Sequence, residues 1–280
     1  MWVTMLKVKS SDISRITDSV RDEPPSYQCY KIWKGTALPL RTKMIAPQLT
    51  KNDSSVLGAL FDPESSLSST IQIDKSLPGD SNSSSIRRIQ ERERRVLRLV
   101  DQEKPSISNI QYALSELTTI IEDEPSYASA FNNRAQVRRL LIKDADLPGS
   151  PGLVAEIFQD LARAISLATP NTIRDTVSRM DAKVLASAHT HRGYLLLMAS
   201  KSERNRGMLD AVPSLKDETR DSLEEAASRE LGIGGRYGNE TARQLAVKTN
   251  PYAKLCGSIV REALTKEISD YYNPQISVAR

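Results

Sequence analysis

Histidine is the side chain best placed for proton transfer at neutral pH, and this chain has two, His189 and His191. Residues two apart on a helix do not share a face, and no nearby cysteine or third histidine completes a metal-ligand set. Gly232-Ile233-Gly234-Gly235 follows a helical pattern rather than a strand, so it reads as a helix stop and not as a phosphate loop. No Gly-x-Ser-x-Gly elbow is present. Nothing nominates a catalytic acid, base or nucleophile. The expectation is a non-enzymatic protein without cofactor or metal.

Hydrogen-bonding chemistry remains. Asn132, Asn133, Gln136 and Arg139 fall in one stretch, and Thr190, His191 and Tyr194 in another. Amides, a guanidinium and a phenol offer the donors and acceptors that an extended peptide backbone needs. The other polar feature is RRIQERERRVLR, residues 87–98. Its arginines alternate with Glu91 and Glu93 and no aromatic is available for base stacking. It reads as a solvated helix face that partly covers the first structural unit, with RNA binding as the alternative.

These side chains need a scaffold, and composition bounds it. The chain has 280 residues, 39% hydrophobic and 5% aromatic, and a formal net charge of +4. Residues 1–50 hold 8 Lys and Arg against 4 Asp and Glu, whereas residues 51–280 hold 31 of each. The basic excess therefore lies in the leader, and an electroneutral body disfavours a broad nucleic-acid face. Cys29 and Cys256 form no disulfide framework, which points to a reducing compartment. The longest apolar run, Tyr194–Ala199, is far short of the roughly 18–20 residues of a membrane span. A cytoplasmic protein with no membrane partner is expected, the nucleus being left open.

Prolines and Gly35 interrupt every candidate element in residues 1–54, which read as a disordered basic leader. Residues 55–83 combine a short apolar cluster, Val56, Leu57, Leu60 and Phe61, with a serine-rich linker. From residue 84 onward the periodicity is helical, with stripes over 107–121, 127–142 and 151–165 and a long helix within 172–199. Ser150-Pro151 and Asn250-Pro251 pair an N-cap with proline at the first helical position. Ser214 is a further candidate cap. Strand signals are absent.

The helices repeat. Pro125 taken as the proline closing a helical hairpin aligns Ala113, Leu117 and Ile120 before it with Phe131 and Ala135 after it. Leu161, Ala164 and Pro170 then close a second unit, and His189, Gly193, Leu223 and Ala226 mark a third. The fit is to tetratricopeptide repeats of about 34 residues. The excess length falls around residues 143–152, before the third unit, and in 200–213, all read as inserted loops. The expected fold is an all-α tetratricopeptide repeat helical-hairpin array over residues 84–268, with about three repeats and a tail at 269–280. The amphipathic helix starting near Tyr252 would cap its apolar edge.

YASAFNNRAQVRRLL and DLARAISLA resemble the second repeat of the tetratricopeptide repeat protein 36 family. TARQLAVKTNPYAKLC is similar to that family's terminal block, and VLGALFDPE to its leader segment. The resemblance covers residues 56–268 and departs in the serine linker, the first helix and the enlarged third repeat. It implies a non-catalytic adaptor that takes a protein or peptide in its concave groove, with an Hsp70-type chaperone or a metabolic enzyme of tyrosine breakdown as partner. A scaffold for complex or cilium assembly is the structural alternative. On the concave wall of such an array stand Asn132, Asn133, Gln136, Arg139, Thr190, His191 and Tyr194. Only Asn133 matches a carboxylate-clamp position, so a chaperone contact would use another mode.

Overall fold

A computed structural model describes residues 73–74, 84–170 and 176–272. The expected leader 1–54, the apolar cluster and nearly all of the serine linker, and residues 273–280 lie outside the described residues. The described portion is an all-α array of helical hairpins. In order come β1 (Ile73–Asp74), α1 (Ser84–Val100), α2 (Ile107–Asp123), α3 (Ala128–Arg139), a 3-10 turn (Asp144–Gly149) and α4 (Pro151–Ala168). They are followed by β2 (Val177–Ser178), α5 (Arg179–Ala199), α6 (Glu203–Arg206), a second 3-10 turn (Gly207–Leu209), α7 (Arg220–Arg236), α8 (Glu240–Thr249) and α9 (Pro251–Tyr272).

The pairs α1–α2, α3–α4 and α5–α7 are the three hairpins, and α3 also touches α5, so the first helices of successive units lie side by side. Side-chain caps start the helices. Ser106, Ser178, Thr219 and Asn239 accept from the backbone N–H of Asn109, Asp181, Ser222 and Ala242, satisfying donors that the helix cannot. Pro125 and Pro170 follow the ends of α2 and α4, where a missing N–H costs no ladder bond. The apolar stripes merge into clusters: Val96, Val100, Ile110 and Leu117 of the first unit join Ala130 and Val137 of the second, and Phe131, Ala164 and Ala168 join Val184 and Leu185 of the third.

Several expectations change. The cap of α7 is Thr219, not Ser214, because the chain stays irregular until residue 219. The glycines 232–235 lie inside α7 rather than stopping it, and the stop comes at Gly238, whose φ of 102° is open chiefly to glycine. A Cβ on Gly193 of α5 would stand 2.7 Å from Leu231 Cγ, and one on Gly234 2.7 Å from Thr190 Oγ1. A Cβ on Gly235 would stand 2.9 Å from Arg243 Cα. Glycine thus lets α7 close on α5 from one side and α8 from the other, and that packing offsets its poor helix propensity.

The inserted stretches are not bare loops. Leu147, Met208 and Leu209 are fully buried, and the two 3-10 turns pack on one another. α5 starts at Arg179, preceded by a short parallel pairing of Ile73 with Val177 and Asp74 with Ser178 that no periodicity announced. The C-terminal helix exists, but every described side chain over 259–269 of α9 is exposed, including Ile259, Val260, Leu264 and Ile268. The helix laid across α7 is α8, through buried Ala242, Leu245 and Ala246.

Candidate functional site

The seven polar residues singled out above come from α3 and α5, the neighbouring first helices of the second and third units. Gln136 Nε2 donates to Ser187 Oγ at 2.7 Å, joining the two helices directly. One turn further along α3 and two along α5, Arg139 and Tyr194 meet on a common acceptor. Arg139 Nη2 donates to Asp144 Oδ1, and Tyr194 Oη donates to Asp144 Oδ2 at 2.6 Å. Asp144 belongs to the inserted 3-10 turn.

The wall is less open than the repeat pattern suggests. Asn132, Asn133, Gln136, Thr190, His191 and Tyr194 are all buried, and Arg139 is only partly accessible. The pattern assumes short connections, whereas here Asp144 is supplied to the wall by the insertion. Thr190 is turned out of the row: its hydroxyl donates to Ala186 O at 2.5 Å and lies against Gly234 of α7. Arg192 turns away likewise, to Glu230 Oε1 at 3.3 Å.

Nearer the start of α3, Asn133 meets α1. Glu93 Oε1 accepts from Asn133 Nδ2 at 2.7 Å and from Ser129 Oγ at 2.9 Å, and Oε2 from Tyr127 Oη at 2.7 Å. Glu93 is 4% exposed, which corrects its reading as part of a solvated face. Burial raises its pKa against the pull of the Tyr127, Asn133 and Ser129 donors. Burial, then Glu93 itself, raises that of Tyr127. The signal was there: residue 93 falls between Ile89 and Val96-Leu97 on the apolar stripe of α1, at spacings that put it on the buried face. The remaining Asn132 amide donates only weakly, at 3.5 Å to Asn133 Oδ1, and its own Oδ1 has no partner.

His191 is the least satisfied group. It is 0% exposed and neither ring nitrogen has a hydrogen-bond partner. Burial foremost, then the positive charge of Arg139, pushes its pKa down to about 3 while Asp144 opposes them. The imidazole is therefore neutral at physiological pH. His189 faces a different neighbour, with Nδ1 2.7 Å from Glu230 Oε2 and its ring stacked 6.3 Å from that of Tyr237. The two histidines do not converge, and among the described residues no three His, Cys, Asp or Glu side chains come together as a metal site.

The backing of the wall is ionic. Arg134 reaches Asp160 of α4 through Nε at 3.0 Å and Nη2 at 2.7 Å, and Arg138 reaches both Asp160 and Glu156. Burial, first among the causes, lowers both guanidinium pKa values without discharging either group. Among the described residues, no helix is long and apolar enough to cross a membrane.

The chain is 44% identical over 241 residues to the L-tyrosine degradation gene cluster protein hmgX of Aspergillus fumigatus, covering 79% of this chain and 94% of that one. To tetratricopeptide repeat protein 36 of Danio rerio it is 32% identical over 165 residues, 59% of this chain and 64% of the relative. To that of Mus musculus it is 26% identical over 216 residues, 77% of this chain and 94% of the relative. No protein-family model matches the chain, and no solved structure matches it significantly.

Proposed function

We propose that this chain, which belongs to the tetratricopeptide repeat protein 36 family, is a non-catalytic adaptor that holds an extended segment of a protein partner along α3 and α5. One observation carries the reading: polar groups of successive first helices line one wall, Gln136 meeting Ser187 and Arg139 and Tyr194 sharing Asp144, donors and acceptors of the kind a peptide backbone uses. The relative named for an L-tyrosine degradation gene cluster favours an enzyme of tyrosine breakdown as the partner, ahead of an Hsp70-type chaperone. Asn133 is engaged by Glu93, so the one clamp-like residue supports no standard carboxylate clamp. The reading puts the protein in the cytoplasm, where Cys29 and Cys256 stay reduced.

Affinity capture with mass spectrometry tests it, comparing the full-length protein with Asn133→Ala plus Arg139→Ala after circular dichroism has established that the variant folds. Loss of a partner from the folded variant is the expected result. An unchanged capture profile refutes the reading.

One observation favours a second reading. Arg87, Arg88, Arg94, Arg95 and Arg98 are exposed on α1, while Glu93 is turned inward and Arg92 is held by Glu116 and Asp123. That leaves Glu91 as the acid within this exposed strip, 3.9 Å from Arg94. RNA binding through residues 87–98 would show as an affinity that falls steeply with salt and is lost on Arg94→Glu plus Arg98→Glu.

A further inference from the structure

Asp144 is a carboxylate held as a ligand would be. Its oxygens are taken by a guanidinium from α3 and a phenol from α5, two donors that a protein uses to recognise an acid. The donors lie deeper than what they hold: the Asp144 side chain is 45% exposed, that of Arg139 is 14%, and Tyr194 is buried. The acceptor therefore sits at the solvent boundary with its recognition groups beneath it.

A second observation lies one turn away. His191 precedes Tyr194 on α5, is enclosed by protein, and leaves both ring nitrogens without partners. Arg139 and Asp144 are the charges that act upon it. A buried imidazole N–H without an acceptor carries a desolvation cost that a pure structural clasp has no reason to keep.

We propose that Arg139 and Tyr194 form a carboxylate-binding site that Asp144 fills in the free protein, and that a carboxylate of the partner protein displaces Asp144 on binding. This rests on the reading that the α3–α5 wall takes a protein segment, and it names what that segment must carry. The exchange asks little of the backbone. Leu147, three residues on, is fully buried and anchors the turn, so Asp144 leaves by rotating its own side chain into solvent. A tethered competitor acts at high effective concentration, so small free acids are kept out and only ligands with additional contacts displace it. The side-chain carboxylate of an aspartate or glutamate and the terminal carboxylate of a polypeptide offer the same chemistry.

The test uses the full-length protein and its Asp144→Ala variant, with Asp144→Ser as a second variant should the first fail to fold. Fluorescein-labelled probes are an N-acetylated, amidated tri-aspartate peptide, its tri-asparagine counterpart, and a tri-alanine peptide with a free or an amidated C-terminus. Emptying the site should tighten tri-aspartate binding about tenfold over wild type, leave tri-asparagine unaffected, and lose the gain when Arg139→Gln and Tyr194→Phe are added. A matching gain for free but not amidated tri-alanine assigns the site to a C-terminus instead of a side chain. Acetate should also raise the melting temperature of the emptied variant beyond an equal concentration of chloride, and leave wild type unmoved. No gain for any acidic probe together with no acetate response overturns the proposal. Partner capture through the wall can survive that result, so the two readings fail separately.

Discussion

The hairpin α3–α4 is fastened by charge, with Arg134 and Arg138 of one helix gripping Asp160 and Glu156 of the other. In the hairpin α5–α7 one acid, Glu230, reaches Arg192 and His189, and the helices add close approach where side chains are absent, Gly193 receiving Leu231 and Gly234 receiving Thr190. Ala135 and Gly193 occupy equivalent places in the repeat, and both helices use a small residue to bring a partner close. The third unit carries this further and presses backbone towards backbone, gaining dispersion contacts that a longer side chain would forbid. The second unit is locked with directional bonds that must offset the desolvation of their charges. One helical-hairpin plan thus accommodates two chemistries, and they respond to different perturbations.

The largest effect should come from removing the shared acid of the second unit. Asp160→Ala leaves two mostly buried guanidinium groups with too few acceptors and should cost about 3 kcal/mol in urea unfolding. A cost no greater than that of an exposed acid would break the comparison. Next, Gly234→Val in the third unit should cost about 2 kcal/mol by overpacking, because the new atoms meet Thr190 and the Ala186 carbonyl. If that variant unfolds at the wild-type urea midpoint, close approach is not what fastens α5 to α7.

Acid should divide the units in a third way. The folded pKa of His191, about 3, lies below its ordinary 6.5, so as pH falls the unfolded chain takes up the proton first. Its contribution is complete above pH 6.5 and drains away between 6.5 and 3, with about 1 kcal/mol lost by pH 5.5. Glu93 works in the opposite sense, because its raised pKa favours the folded chain as the carboxylate protonates. Urea midpoints between pH 7 and 5 should therefore fall more steeply for Glu93→Gln than for wild type, and hold or rise for His191→Leu. The smallest effect belongs to the first unit. Arg92→Ala removes ion pairs to Glu116 and Asp123 that remain open to water, and should cost about 0.5 kcal/mol, less still in roughly 0.5 M salt.

Apolar periodicity was enough to find the hairpins, because a stripe at helical spacing has one way to bury itself, and Leu117, Leu161 and Leu223 are each fully buried. Ser150-Pro151 marked the start of α4 by local chemistry alone, although no side-chain bond is made there. Local preference misleads where tertiary contact overrides it. Gly234 and Gly235 look like a break until α5 and α8 are seen to need them. Glu93 looks like a surface acid until Tyr127, Ser129 and Asn133 arrive from more than thirty residues away. The polar wall was legible as a set, but Asp144 was hidden in a stretch that reads as filler, since a carboxylate in a loop shows its role only through what donates to it.

The two-residue pairing of Ile73–Asp74 with Val177–Ser178 has a consequence for how the array comes apart. Stacked hairpins ordinarily fray from their ends, each unit held only by its neighbour. Here a segment preceding α1 is tied to the chain just ahead of α5, so the first four helices lie within a closed loop. The terminal hairpin loses the freedom of a loose end: to peel away, it must first break a tie to the far side of the second unit. Having met the entropic cost of that closure, the first two units gain a reason to melt together, more as a ring opens than as a zipper runs.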